Sequence, residues 1–139
     1  MNANTPSIPQ QMDAGLPVFP DLPEICSDKF GRLMRMVGPA RSAELLDQLD
    51  IDINDARQRI GAAATVPDWT AVREQSHILI GVSGTVGAER LQRIAEIINR
   101  TLCEHPDGER IRYLVPALMT QLDRLAAFIA DRRGEPPDE

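Results

Sequence analysis

Aromatic residues are scarce: three Phe, one Trp and one Tyr make up 4% of the 139 residues. A core must therefore be built from Leu, Ile, Val, Met and Ala, a composition that suits packed helices. Only two cysteines occur, Cys26 and Cys103, far apart and outside any CxxC pair. Neither a disulfide framework nor a cysteine zinc site is indicated, and both read as free thiols. No apolar run approaches the ~20 residues of a membrane span, and the N-terminus lacks the basic start and apolar stretch of a secretory signal. The chain reads as cytoplasmic, with no membrane partner. An excess of positive charge is also missing, since 15 Lys and Arg face 21 Asp and Glu for a formal charge of -6. That is the wrong sign for binding nucleic acid, which relies on clustered cations. A Walker-type phosphate loop, an HExxH zinc motif and a nucleophile elbow are all absent, so nothing points to a self-sufficient enzyme.

What is present is helical periodicity. The length suits one compact domain. Residues 1–21 hold Pro6, Pro9, Pro17 and Pro20 among polar residues and are expected to form a flexible arm. Ile25, Phe30, Leu33, Met34 and Val37 then recur at helical spacing and predict a short helix over 22–37, ended by Gly38-Pro39. A long helix from Pro39 to about Ala64 carries Leu46, Leu49, Ile53, Ala56 and Ile60. Thr65-Val66-Pro67-Asp68 supplies a break and a cap, after which Trp69, Val72, Leu79, Val82 and Val86 trace a third helix closed by Gly87. Leu91, Ile94, Ala95, Ile98 and Leu102 mark a fourth over 88–103, and Ile111 to Ile129 a fifth over 109–132. Residues 134–139 are expected to be a disordered tail. No strand-like alternation or internal repeat competes. The expected fold is all-α, an antiparallel up-down four-helix bundle over 22–133 with an additional short N-terminal helix, acting as a monomer.

One segment carries chemistry: Ser76-His77-Ile78-Leu79-Ile80-Gly81-Val82-Ser83-Gly84-Thr85-Val86-Gly87-Ala88. A glycine inside a helix costs about 0.5–1 kcal/mol relative to alanine, so Gly81 and Gly84 require a reason in packing or docking. At 3.6 residues per turn, Arg73, His77, Ile80, Gly81, Gly84 and Ala88 share one face, away from the stripe led by Leu79 and Val82. His77 is then expected to project into solvent over a flat surface of small residues. The neutral form of an exposed imidazole offers a nitrogen lone pair to phosphorus. Glycine one turn further on would let a partner's reacting group approach in line.

The same segment resembles the H-x-L-K-G-(x)5-G-A signature of histidine-phosphotransfer (Hpt) domains, with His77, Leu79, Gly81, Gly87 and Ala88 matching. The likeness extends over most of residues 28–132, through Glu44-Leu45-Leu46, Asp68-Trp69 and Leu91. It implies a phosphoryl carrier without kinase activity, phosphorylated on Nε2 of His77, that relays the group between receiver-domain aspartates in a two-component phosphorelay. The implied partners are receiver domains of hybrid sensor kinases and response regulators. They would bring the aspartate and the Mg²⁺, leaving the bundle itself with no metal and no cofactor. Ile80, Gly81, Gly84 and Ala88 are the expected docking residues. Family members commonly hold the other imidazole nitrogen with a polar residue on the next helix. Reflecting His77 about the turn at Gly87-Ala88 nominates Asn99, whose side-chain oxygen would orient the ring. The departure is Ile80, which stands where the family usually has a lysine facing the phosphoryl group. Arg73 is the main candidate for a substitute cation, with Arg93 on the facing helix a second. The loss also keeps open an alternative, a catalytically silent Hpt-like adaptor that binds or sequesters receivers. His105, in a turn before Pro106, is assigned no chemical role, and Trp69 reads as a core anchor.

Overall fold

The computed structural model describes residue 19, residues 21–104 and residues 108–134. The arm expected over 1–21 and the tail over 134–139 lie almost wholly outside these, as does His105. Of the arm, Phe19 is described, and it rests half-buried against the core.

The described residues form four helices and no strand: α1 (Ser27–Thr65), α2 (Trp69–Val86), α3 (Glu89–Glu104) and α4 (Gly108–Arg133). Connections this short leave no room for a crossover, so consecutive helices run antiparallel. α1 packs on α2 and α4, and α3 packs on the same two, which closes a ring around one core. The buried positions follow the helical period. In α1 they are Phe30, Leu46, Leu49, Ile53, Ala56, Ile60 and Ala63; in α4, Ile111, Leu114, Leu118, Leu122, Leu125 and Ile129 stand among them. α4 runs on through Pro116, whose exposed position turns the interrupted backbone bond toward water.

The start of the chain differs from expectation. The helical segment ahead of Gly38-Pro39 starts five residues later than the expected 22–37. Helical residues begin at Ser27 and continue into the long arm of α1, interrupted at the single non-helical residue Gly38 (φ 80, ψ 159). A glycine at positive φ redirects the chain within one residue, and Pro39, which has no N–H to lose, starts the helix again. Residues 27–37 thereby lie against the far end of α4, where Phe30 meets Phe128 edge-on at 4.9 Å and the Arg132 guanidinium stands 4.4 Å from the Phe128 ring centre.

The residues just ahead of α1 are strapped to the α2–α3 turn. The Cys26 amide donates to the Gly87 carbonyl at 2.7 Å, Arg90 Nε donates to the Leu22 carbonyl at 2.6 Å, and Arg124 pairs with Glu24 at 3.0 Å. Lys29 lies 2.8 Å from Glu89. The hydrogen bond and charge of that carboxylate hold the Lys29 pKa above the ordinary lysine value. A raised pKa means the pair contributes fully below the lysine range and weakens only as pH rises through it.

Candidate functional site

α2 is built to hold one face down. Asp68 caps it by accepting a hydrogen bond from the Ala71 amide at 3.1 Å, and the neighbouring Trp69 is wedged against the start of α4. A Cβ on Gly108 would come within 3.0 Å of the indole, and the Arg112 guanidinium lies 5.8 Å from its centre. The buried stripe is Val72, Ser76, Leu79, Ser83 and Val86. Its two serines are fully buried but satisfied, Ser76 donating to the Val72 carbonyl at 2.9 Å and Ser83 to the Leu79 carbonyl at 2.5 Å. The helix ends at Gly87, left-handed at φ 85, where the amides of Gly87 and Ala88 both reach the Ser83 carbonyl at 2.9 Å. The bond from Ala88 is the 6→1 closure of a Schellman turn, and the bond from Gly87 is the 5→1 closure of an αL cap. Replacing Asp68 by alanine removes one capped amide, so Asp68→Ala is expected to cost about 1 kcal/mol in a urea denaturation measurement.

With that stripe fixed, the opposite face is exposed, and it holds Arg73, Glu74, His77, Ile78 and Gly81. The His77 side chain makes no hydrogen bond or ion pair among the described residues. Around the position a Gly81 Cβ would take there is nothing within 4 Å, so the surface one turn beyond the imidazole is open.

The expected docking set is only partly on this face. Gly81 is exposed, but Ile80 is half-buried and packs against the core. Gly84 lies under the Gln92 side chain, which a Cβ would meet at 3.4 Å. Both sit on the flank of α2 turned toward α3. Ala88 is a clear correction: it is 1% exposed and part of the core. The helical projection does not extend past the left-handed Gly87, where the chain reverses and turns Ala88 inward. Ile78, in contrast, is 52% exposed and stands on this open face, though the expected docking set does not include it. Its signal was available, since it lies about 100° around the helix from His77, with Gly81 between them.

Asn99 is also corrected. Its amide nitrogen donates to the Arg73 carbonyl at 3.2 Å, and its oxygen faces the Cys103 thiol at 3.9 Å, so it does not hold the imidazole. In an α-helix the Arg73 carbonyl is the acceptor for the His77 amide, so Asn99 ties α3 to the turn that carries His77. Arg73 itself is exposed and makes no ion pair among the described residues. Arg93 stands 3.7 Å from Glu96.

The site is thus an unencumbered imidazole on the second helix of an antiparallel four-helix bundle, with open glycine surface beside it. The chain belongs to the Hpt-domain family: the model of the Hpt domain matches residues 41–128, more than half of the protein. That stretch holds the long arm of α1, all of α2 and α3, and most of α4. Neither a curated protein nor a solved structure matches the chain. Hpt domains are phosphocarriers rather than kinases and interact with receiver domains in phosphorelays, so membership supports a phosphotransfer role in two-component signalling. Among the described residues no helix is long and apolar enough to cross a membrane, and no three His, Cys, Asp or Glu gather where they could hold a metal ion.

Proposed function

We propose that this protein relays a phosphoryl group between receiver-domain aspartates through phospho-His77, acting as a monomer. The observation that carries the reading is the exposed, unbonded His77 with open space over Gly81 one turn away. In the loading step the Nε2 lone pair of a neutral imidazole attacks phosphorus, the bond from phosphorus to the aspartyl oxygen breaks, and the carboxylate leaves with the electron pair. Nδ1 keeps its proton. The reverse exchange passes the group to a second receiver. Mg²⁺ would come with the receiver and would supply charge neutralisation at the phosphoryl oxygens. The protein supplies a nucleophile at a fixed height and a surface flat enough for in-line approach.

The test is to mix the purified chain with phosphorylated receivers and map the label. An acid-labile, base-stable phosphate on the peptide containing His77 supports relay. Stable receiver binding with no label would favour the silent adaptor that Ile80 leaves open. The approach surface has its own test. Gly81→Leu removes an interior helical glycine and is expected to leave the bundle at least as stable, while slowing transfer roughly 10-fold or more by holding the receiver off. Rapid-quench transfer rates beside thermal melts check both halves, and an unchanged rate would show that receivers do not approach over Gly81.

A further inference from the structure

Ile80 leaves a phosphoryl group on His77 without the lysine its signature carries, so the negative charge gained on loading calls for another cation. α2 offers only Arg73, and α3 offers Arg90, Arg93 and Arg100. Arg90 is committed to the strap, bonded to the Leu22 carbonyl and to Glu24. The choice among the other three follows from the register of the two helices.

Two contacts set that register. Gln92 lies across Gly84, and the Asn99 amide reaches the Arg73 carbonyl. Taken together these contacts put Arg100 level with Val72 to Ser76, the turn that leads into His77, whereas Arg93, two turns earlier on α3, is level with Leu79 to Ser83, roughly 10 Å further along α2. Direction then separates them. Helical side chains lean toward the N-terminus of their own helix. The two helices are antiparallel, so the His77 imidazole leans back over the Arg73 turn while Arg100, from the other wall, leans the opposite way to meet it. Arg93 leans away from His77 and is drawn to Glu96. Arg73 precedes His77 on the same helix and leans away from it. Arg100 lies about 100° around α3 from Asn99, on the side opposite the buried Ile94 and Ile98. It is exposed, and among the described residues it makes no ion pair or hydrogen bond.

The geometry points to Arg100 as the phosphoryl-binding cation of this chain, its guanidinium taking the phosphoryl oxygens of phospho-His77 across the groove between α2 and α3. The assignment rests on the carrier reading above and adds the residue that fills the role vacated at Ile80. A planar guanidinium suits it, because its paired N–H groups match two phosphoryl oxygens and its stem spans neighbouring helices.

Phosphoramidate tests this without a receiver. Its P–N bond breaks, the bond from Nε2 of His77 to phosphorus forms, and ammonia leaves. The readout is the pH midpoint of the phosphohistidine ³¹P resonance. A neighbouring cation favours the dianion, so Arg100→Gln is expected to raise the midpoint by roughly half a unit, and Arg100→Lys to recover part of the shift. Arg73→Gln and Arg93→Gln are expected to leave it in place. A purely structural role for Arg100 would not move the midpoint, and circular dichroism of each variant confirms the fold. An unmoved midpoint in Arg100→Gln, or a shift confined to Arg73→Gln, overturns the assignment. A wild-type protein that yields no phosphohistidine signal overturns the carrier reading and takes this assignment with it.

Discussion

The His77→Gln protein is expected to take up no acid-labile phosphate from a phosphorylated receiver while melting within a few degrees of the wild type. The first half follows from chemistry. A carboxamide nitrogen shares its lone pair with the carbonyl and has none to offer phosphorus, so transfer is lost rather than slowed. The second half follows from placement. His77 is exposed and bonded to nothing among the described residues, and surface changes away from packed features usually stay within about ±0.5 kcal/mol. Glutamine is close to histidine in size, so receiver docking should persist, and a pull-down of the phosphorylated receiver beside the labelling assay separates lost chemistry from lost binding. Label persisting on His77→Gln would mean that the phosphoryl group sits on another residue.

Gly87→Ala is expected to act in the opposite manner, damaging the fold first. Gly87 sits at φ 85, where a side chain costs about 1–2 kcal/mol. Space is the second problem. The new Cβ would come within 2.9 Å of Lys29 Cβ and 3.1 Å of the Cys26 carbonyl oxygen, and the latter is backbone that cannot swing aside. Overpacking of this kind typically adds about 1–3 kcal/mol, for a total of roughly 2–5 kcal/mol in urea denaturation. The strap ahead of α1 should loosen with it, because Cys26 donates to the very carbonyl that would shift. A midpoint equal to wild type would show that this turn tolerates a side chain in the left-handed conformation. Two glycines of one short motif thus serve unlike ends, Gly81 leaving room for a visitor and Gly87 leaving room for the protein's own first segment.

Much of this was legible before any coordinates. The stripe from Leu46 to Ile60 and the run from Leu118 to Ile129 are buried as their spacing implies, because burial on a helix against a core follows the 3.6-residue period. The exposure of His77 and Gly81 followed from the same rule. What escaped depends on neighbours or on a change of backbone state. A helical projection puts Ala88 on the wrong side, because the left-handed Gly87 ends the period one residue earlier. Ile80 and Gly84 lie on the expected side of α2, but Ile80 packs against the core and Gln92 of α3 lies over Gly84, cover that periodicity within one helix does not report. Asn99 was reached at about the right level by reflection through the turn, yet the atom its amide meets is a backbone carbonyl that no side-chain pattern encodes. Arg100 needed the register of two helices, and that register was available only from contacts.

The buried serines bear on which atom can be modified. Ser76 is the sequence neighbour of His77 and carries an oxygen nucleophile, but it is fully buried and its proton is engaged by the Val72 carbonyl. Ser83 is held the same way two turns further on. Any phosphodonor meeting this stretch of α2 therefore finds the nitrogen of His77 presented and both serine oxygens withheld, so at these two positions side-chain packing rules out an ester before intrinsic reactivity enters.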